Sequence, residues 1–256
     1  GGGGGGGGRR LRRLRRAPGR LIGIIMNPLV SLVVLGYLFQ GSLSISGGGS
    51  YQEYIFAGVA AQVGLSGIGP TATAVAMDLR GGLVDRFRSL PISRSSVLTG
   101  HTIGDLVIGL VGLLVVTAVG VAFGWRPQTG VLSVLAGFAV LAVFMYAMLW
   151  VGVVLGMFSR NMETINVIAG LVTVLFTFLS NAFQSVDRLP GWLRPVAEWN
   201  PVSAVVTVLR ELWGNPVDTG AGFPAGHASA AIIISLGAVF AVTVVVSMHR
   251  YRAAAS

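Results

Sequence analysis

The chain has 256 residues, of which 53% are hydrophobic and only 11% are charged, and its mean hydropathy is +0.77. Soluble globular domains carry about 25% charged residues, so this composition excludes an ordinary soluble protein. The formal net charge of +9 comes from arginine, because the sequence contains no lysine, and the lack of cysteine excludes disulfides and thiol chemistry.

The apolar residues lie in runs that are long enough to cross a bilayer. A helix needs about 20 residues to cross a hydrocarbon core of about 30 Å. The sequence therefore predicts an all-α polytopic membrane protein, with one membrane domain over residues 9–252 and a tail at 253–256. Six transmembrane helices are predicted, at about residues 21–40, 52–77, 102–124, 131–158, 163–183 and 230–248.

Two segments precede the first span. Residues 1–8 are glycine only, and we interpret them as a linker or an unassigned segment that stands apart from the fold. Residues 9–20 are rich in arginine, and Leu11 and Leu14 share one helical face. This pattern predicts either an amphipathic helix in the plane of an anionic membrane surface or a simple positively charged anchor.

Proline and glycine predict irregular points in the first two spans. Pro28 lies well inside the first span and predicts a kink. Gly69 and Pro70 predict a break in the second span before it leaves the membrane. Residues 41–50, between these spans, are rich in glycine and serine and are expected to form a turn outside the cell.

A charged segment, residues 78–94, separates the second and third spans. Within it, Leu83, Phe87 and Leu90 follow one another at four- and three-residue spacings, which predicts an apolar ridge on a short helix that Pro91 ends. An aromatic residue surrounded by charge is typical of the centre of a protein interface. The alternative is a solvated loop whose arginines only set the membrane orientation.

The connection before the sixth span combines tryptophans with a short apolar stretch. Trp192, Trp199 and Trp213 are typical of an aromatic belt at a membrane surface. Residues 201–210 are apolar but too few to cross a bilayer. They predict an interfacial or re-entrant helix with Pro201 in its first turn.

The distribution of arginine predicts the orientation. Six spans return the chain to its starting side, and 14 of the 18 arginines lie on that side. Cytoplasmic segments carry the excess of positive charge, so both termini are expected in the cytoplasm. The arginines expected outside are Arg126, Arg188, Arg194 and Arg210.

The charged segment resembles the cytoplasmic motif of type-2 ATP-binding-cassette (ABC) transporter permeases. The matching residues are Asp78, Gly82, Asp85-Arg86-Phe87-Arg88, Leu90-Pro91, Arg94 and Gly100. The stretch Leu189-Pro190-Gly191-Trp192, the stretch Glu198-Trp199-Asn200-Pro201 and Arg210 resemble the segment that this family carries between its fifth and sixth spans. With the chain length and the six-span plan, the sequence is most similar to daunorubicin-resistance (DrrB-like) permeases of actinobacteria. The double glycine Gly81-Gly82 departs from the single glycine of many members.

The resemblance implies an exporter permease in the bacterial inner (plasma) membrane, surrounded by lipids. A cytoplasmic coupling helix at residues 79–91 would dock on a separate dimer of ABC ATPase subunits, and a second permease chain, identical or paralogous, would pair with this one. Residues 9–20 would form the in-plane connecting helix of the family. The residues implied for the ATPase contact are Asp78, Leu83, Asp85, Arg86, Phe87, Arg88, Leu90, Pro91 and Arg94.

The chain itself is not expected to be an enzyme or to bind a cofactor or metal. A phosphate-binding Gly-x-x-x-x-Gly-Lys loop requires lysine, so ATP and Mg²⁺ are expected on the partner subunit. His101, His227 and His249 are far apart in sequence and are expected at span ends. Nucleic acid binding is not expected, because the arginines flank spans. Two alternatives remain: a secondary transporter, which requires paired ion-coupling residues, and an intramembrane enzyme.

The substrate path is predicted from polar residues inside the spans. They are Asn27, Gln62, Thr71, Thr73, Asn166, Thr177 and Asn181. None is charged, which favours an apolar or amphipathic cargo such as a drug, a lipid or a glycolipid; alternatively, these residues hydrogen-bond neighbouring helices. Asp105 and Glu163 lie near span ends, where each is either a functional group or the partner of a nearby arginine.

Overall fold

A computed structural model describes residues 18–38, 50–80, 94–159, 161–217 and 223–253, and within these ranges every regular element is a helix. Within the same ranges there is one 3-10 turn, Val186–Arg188. The helices are α1 (Pro18–Leu38), α2 (Tyr51–Ser66), α3 (Ile68–Arg80), α4 (Arg94–Ala122), α5 (Val131–Phe158), α6 (Met162–Phe178), α7 (Arg194–Glu198), α8 (Pro201–Trp213), α9 (Phe223–Gly226) and α10 (Ala228–Ala253).

Five stretches of the described chain are long and apolar enough to cross a membrane. They are α1, the joined helices α2 and α3, α4, α5 and α10. Helix α6 is apolar but has 17 residues, which span about 25 Å at 1.5 Å per residue and fall short of a hydrocarbon core of about 30 Å. The predicted fifth span is therefore helical only as far as Phe178.

Helices α2 and α3 form one rod with a joint at Gly67. The Gly67 N–H donates to the carbonyls of Gly64 and Leu65, a tighter pattern than in the α-helix. The cause is Pro70, which has no N–H and whose ring clashes with the carbonyl four residues earlier, that of Ser66. The interruption predicted at Gly69-Pro70 thus occurs two to three residues earlier. Helix α1, by contrast, continues through Pro28.

Helix α5 is the centre of the bundle and contacts α2, α3, α4, α8 and α10. Glycine allows the backbones to approach closely along it. A Cβ atom at Gly64 of α2 would lie 2.9 Å from the Phe144 ring of α5, and one at Gly152 of α5 would lie 2.6 Å from the Ile68 carbonyl of α3. These distances are too short for a real Cβ atom, so Gly64 and Gly152 both require glycine for the helices to pack in this way.

The outer surface of the bundle is strongly apolar. Large apolar side chains are exposed along α1, α6 and α10, for example Val34, Leu171 and Ile233. Contiguous apolar surface of this kind marks contact with a membrane or with another protein.

Candidate functional site

The charged segment lies between α3 and α4, and the structure describes only its flanks. Asp78 is partly exposed in the last turn of α3, and Arg94 is the first residue of α4. The other predicted contact residues lie outside the described residues: Leu83, Asp85, Arg86, Phe87, Arg88, Leu90 and Pro91. Helix α4 runs antiparallel to α2 and α3, because its Gly120 meets Phe56 of α2 and its Asp105 meets Thr71 of α3. Both flanks of the charged segment therefore lie at one end of the bundle, which we call the loop end.

Asp105 is buried between α3 and α4. Thr71 is also buried, and its Oγ1 donates to Oδ2 of Asp105 over 2.6 Å. Asp105 was predicted to be either a functional group or the partner of a nearby arginine. In the structure its side chain pairs with a threonine. Glu163, by contrast, is exposed in the first turn of α6, where its N–H donates to the capping side chain of Asn161.

The predicted substrate-path residues separate into two groups. Asn27 on α1 and Asn166 on α6 are exposed, and Thr73 on α3 is partly exposed. Gln62, Thr177 and Asn181 are buried in the bundle together with Thr71. The structure therefore does not bring all the predicted residues together in one place.

Gln62 and Thr177 face the same seam between α2–α3 and α6. Gly58 of α2 abuts Ala182, and Gly69 of α3 abuts Ala169 of α6, so the two rods run antiparallel. This register places Gln62, one turn after Gly58, level with Thr177, two turns after Ala169. Among the described residues, Gln62 Oε1, Thr177 Oγ1 and Asn181 Oδ1 are buried polar atoms without a hydrogen-bond partner.

At the other end of the bundle, which we call the α8 end, a buried arginine organises the chain. Arg210 of α8 is fully buried, and its Nε and Nη2 donate to the backbone carbonyls of Tyr54, Asn181 and Ala182 over 2.9–3.1 Å. Its guanidinium lies 3.5 Å from the centroid of the Tyr54 ring, a cation–π contact. Arg210 thus ties α8 to α2 and to the irregular segment that follows α6.

Further hydrogen bonds between α8 and the segment after α6 explain why α6 ends early. Asn200 caps α8 by accepting from the Val202 N–H, and its Nδ2 donates to the carbonyls of Phe176 and Leu179. The Asn181 side chain donates to Oγ1 of Thr207 over 2.8 Å. Side chains of α8 therefore bind the carbonyls that a longer α6 would have used for its own helical bonds.

Helix α8 is largely buried by the other helices, and this corrects the position of one tryptophan. Trp213 is fully buried, whereas Trp192 and Trp199 are exposed. The Trp213 ring packs against Trp125, Phe56 and Phe138 with centroids 5.1–5.6 Å apart. It was expected in a surface belt because composition alone does not reveal this aromatic cluster.

Hydrogen bonds close the α8 end around this cluster. Trp125 Nε1 donates to Oδ1 of Asn215 over 2.9 Å, and Asn215 Nδ2 donates to the Arg126 carbonyl. The N–H of Gln128 donates to the Trp213 carbonyl over 2.8 Å. The loop between α4 and α5 is therefore fixed to the end of α8.

Arg210 is the functional candidate that sequence reasoning did not single out. The sequence placed it among the outside arginines and in the segment that resembles the family, but gave it no role, although an arginine inside an apolar helix was the available signal. His227 and His249 are exposed at the two ends of α10. No group of three His, Asp or Glu side chains that could hold a metal occurs in the described part of the chain.

Comparison with known proteins gives consistent matches. The sequence profile of the ABC-2 type transporter family matches residues 7–212. The chain is 31% identical over 195 residues to the daunorubicin resistance ABC transporter permease protein DrrB1 of Streptomyces coeruleorubidus, an alignment that covers 76% of this chain and 69% of that protein. It is 26% identical over 205 residues to the probable doxorubicin resistance ABC transporter permease protein DrrC of Mycobacterium tuberculosis, with 77% and 71% covered.

Proposed function

The chain belongs to the ABC-2 type transporter family, whose members are multi-pass membrane transport subunits, and we propose that it is the permease of an ATP-driven exporter. ATP hydrolysis would occur on a separate ABC ATPase dimer, which would hold ATP and Mg²⁺. The observation that carries the proposal is the charged motif of residues 78–94, placed between two antiparallel helices of a chain that matches the family.

We propose that residues 79–91 form a coupling helix that docks on the ATPase subunit. Leu83, Phe87 and Leu90 would enter a groove of that subunit, because their spacing gives one apolar ridge. Asp85 and Arg86 would pair with charges at its rim. The remaining contact residues would be Asp78, Arg88, Pro91 and Arg94.

The proposed cargo is a hydrophobic or amphipathic molecule such as a drug, a lipid or a glycolipid. The names of DrrB1 and DrrC record resistance to daunorubicin and doxorubicin. Gln62, Thr177 and Asn181 are the preferred path residues, because each keeps a buried oxygen that a cargo could engage. Asn27, Thr73 and Asn166 would contribute from more exposed positions.

The proposed assembly contains two permease chains in the bacterial inner membrane. Each would cross six times, with α6 and the irregular segment after it as the fifth crossing, α8 as a re-entrant helix, and both termini in the cytoplasm. Residues 9–20 would lie along the cytoplasmic membrane surface, where their arginines attract anionic lipids. The apolar surface of α1, α6 and α10 would face lipid or the second chain.

The test is to co-purify the permease with its ABC ATPase after Phe87→Ala or Arg86→Glu. Both changes should abolish capture of the ATPase and ATP-dependent uptake of doxorubicin into inverted membrane vesicles, because they remove the anchor and reverse a rim charge. Arg188→Glu, a charge reversal at an exposed position expected on the opposite side, should leave both unchanged. Normal capture and uptake in both loop variants would overturn the coupling role.

A further inference from the structure

Two buried side chains join α3 and α4, the helices on either side of residues 81–93. Helix α3 enters residues 81–93 and α4 leaves them, and Thr71 of α3 donates to Asp105 of α4 over 2.6 Å. At 1.5 Å per residue, this bond lies about 14 Å from the end of α3 and about 17 Å from the start of α4. The bond is therefore deep in the bundle, well away from the residues that connect α3 to α4.

Helix α3 is fixed to the centre of the bundle by backbone contact. At Gly152 of α5 a Cβ atom would lie 2.6 Å from the Ile68 carbonyl and 3.1 Å from Cβ of Thr71, and at Gly156 it would lie 2.9 Å from Cβ of Val75. Close contact through small residues four apart is a stable way to pack membrane helices. Motion of α3 therefore moves α5 with it.

Helix α4 is partly exposed at the same level. Ile103, Gly104 and Val107 are exposed around Asp105, and α4 touches α3 only briefly. A small cavity of about 10 Å³, lined in part by Thr71, Asp105 and the joint residue Gly67, lies in this region. The Thr71–Asp105 hydrogen bond is therefore one of the few contacts between the two helices.

We infer that Thr71 and Asp105 form a clasp that makes α3 and α4 move as one body. The inference rests on the proposed coupling role of residues 79–91. A displacement of the loop would then reach α5 through α3 even when the ATPase pushes mainly on the α4 side. Without the clasp, α3 and α4 could separate, and a displacement of α4 would reach α5 only through their direct contact. Thr71 and Asp105 are thus positioning residues for transport, with no contact to ATP or to the reacting phosphate.

The experiment measures the distance between α3 and α4 directly. The chain contains no cysteine, so Met77→Cys and Ile103→Cys, both at exposed positions, create the only two sites for spin labels. The spin–spin distance is measured by electron paramagnetic resonance in nanodiscs, for the permease alone and for its complex with the ATPase trapped with ATP and vanadate. With the clasp intact, one narrow distribution should persist in both states.

Thr71→Val preserves the side-chain shape but removes the donor. It should broaden the spin–spin distance distribution in the permease alone and shift it in the trapped complex. It should also lower doxorubicin uptake per ATP hydrolysed about tenfold, which is the effect of losing one strong hydrogen bond. Thr71→Ser should restore the wild-type values. Thr117→Val is the matched control, because the Thr117 hydroxyl donates within its own helix to the Leu113 carbonyl.

Each remaining outcome decides the inference. An unchanged narrow distribution in Thr71→Val, or a distance that changes on trapping in the chain with Thr71 intact, would overturn the clasp. If Thr71→Val does not fold, Asp105→Leu tests the acceptor side with the same readouts. Failure of the permease to capture an ATPase would contradict the proposed function instead, while the distance measurement on the permease alone would still test the clasp.

Discussion

Arg210 shows how one charged side chain can stabilise a junction of several segments inside an apolar bundle. A buried charge is costly unless hydrogen bonds compensate it. Here the planar guanidinium binds three carbonyls and covers the Tyr54 ring, which a compact ammonium group cannot reproduce. The arginine therefore stabilises the end of α6 and the position of α8 together.

Arg210→Lys should lower the free energy of unfolding by about 3 kcal/mol or more, because the ammonium lacks the planar fork that reaches the three carbonyls and stacks on Tyr54, while the charge stays buried. Arg194→Lys is the matched control. Arg194 also donates to backbone carbonyls, those of Asp187 and Leu189, but it is exposed, so its loss should cost less than about 0.5 kcal/mol. Thermal melting of the two purified variants in detergent measures the difference. Equal melting temperatures would show that the Arg210 contacts contribute little.

Among the helices, those that follow from local chemistry could be predicted, and those that depend on distant partners could not. Hydropathy predicts α5 as an apolar helix, and proline chemistry predicts a break at Gly69-Pro70, close to the observed joint at Gly67, and the start of α8 at Pro201. The end of α6 could not be predicted, since it depends on Arg210 and on other α8 side chains that are distant in sequence.

The candidate site divides in the same way. The charged motif of residues 78–94 is readable because its pattern is local. The pairing of Thr71 with Asp105, 34 residues apart, and the burial of Trp213 require the helices to be packed first. Hydropathy reports what a residue is, and it does not distinguish a side chain in lipid from one in a protein core.

The packing of α3 on α5 predicts opposite effects for the same substitution at two glycines. Gly152→Ala places a methyl group against the Ile68 carbonyl and should lower the free energy of unfolding by about 1–3 kcal/mol, as overpacking does. A Cβ at Gly237, in the middle of α10, meets no atom within 4 Å. Gly237→Ala should therefore leave stability unchanged or raise it by up to about 1 kcal/mol, the helix preference of alanine over glycine.

Melting temperatures measured side by side in one detergent compare the two variants. A Gly152→Ala protein as stable as Gly237→Ala would mean that α3 and α5 can separate without cost. That result would also remove the route by which α3 passes motion to α5.

In the described part of the molecule, apolar side chains cover the surface between two ends that carry polar groups, and the Thr71–Asp105 pair is buried between these ends. The α8 end is closed by the Trp125–Trp213 cluster and its hydrogen bonds, while the loop end carries the charged segment. The two ends therefore differ in character: one is a fixed cap of short helices and the other holds the motif that we propose binds the ATPase. This asymmetry fits a transporter in which force enters at the loop end.

The orientation of the two ends can be tested by chemical labelling, because any introduced cysteine is the only one in the chain. Trp192→Cys replaces a side chain that is 77% exposed at the α8 end, and Arg80→Cys replaces an exposed residue at the loop end. The excess of arginine on the loop side predicts that this side is cytoplasmic. A membrane-impermeant maleimide should therefore label position 192 in intact cells, and position 80 only after the membrane is permeabilised. Labelling of position 80 in intact cells, with position 192 protected, would reverse the proposed orientation and place the charged segment where no cytoplasmic ATPase could reach it.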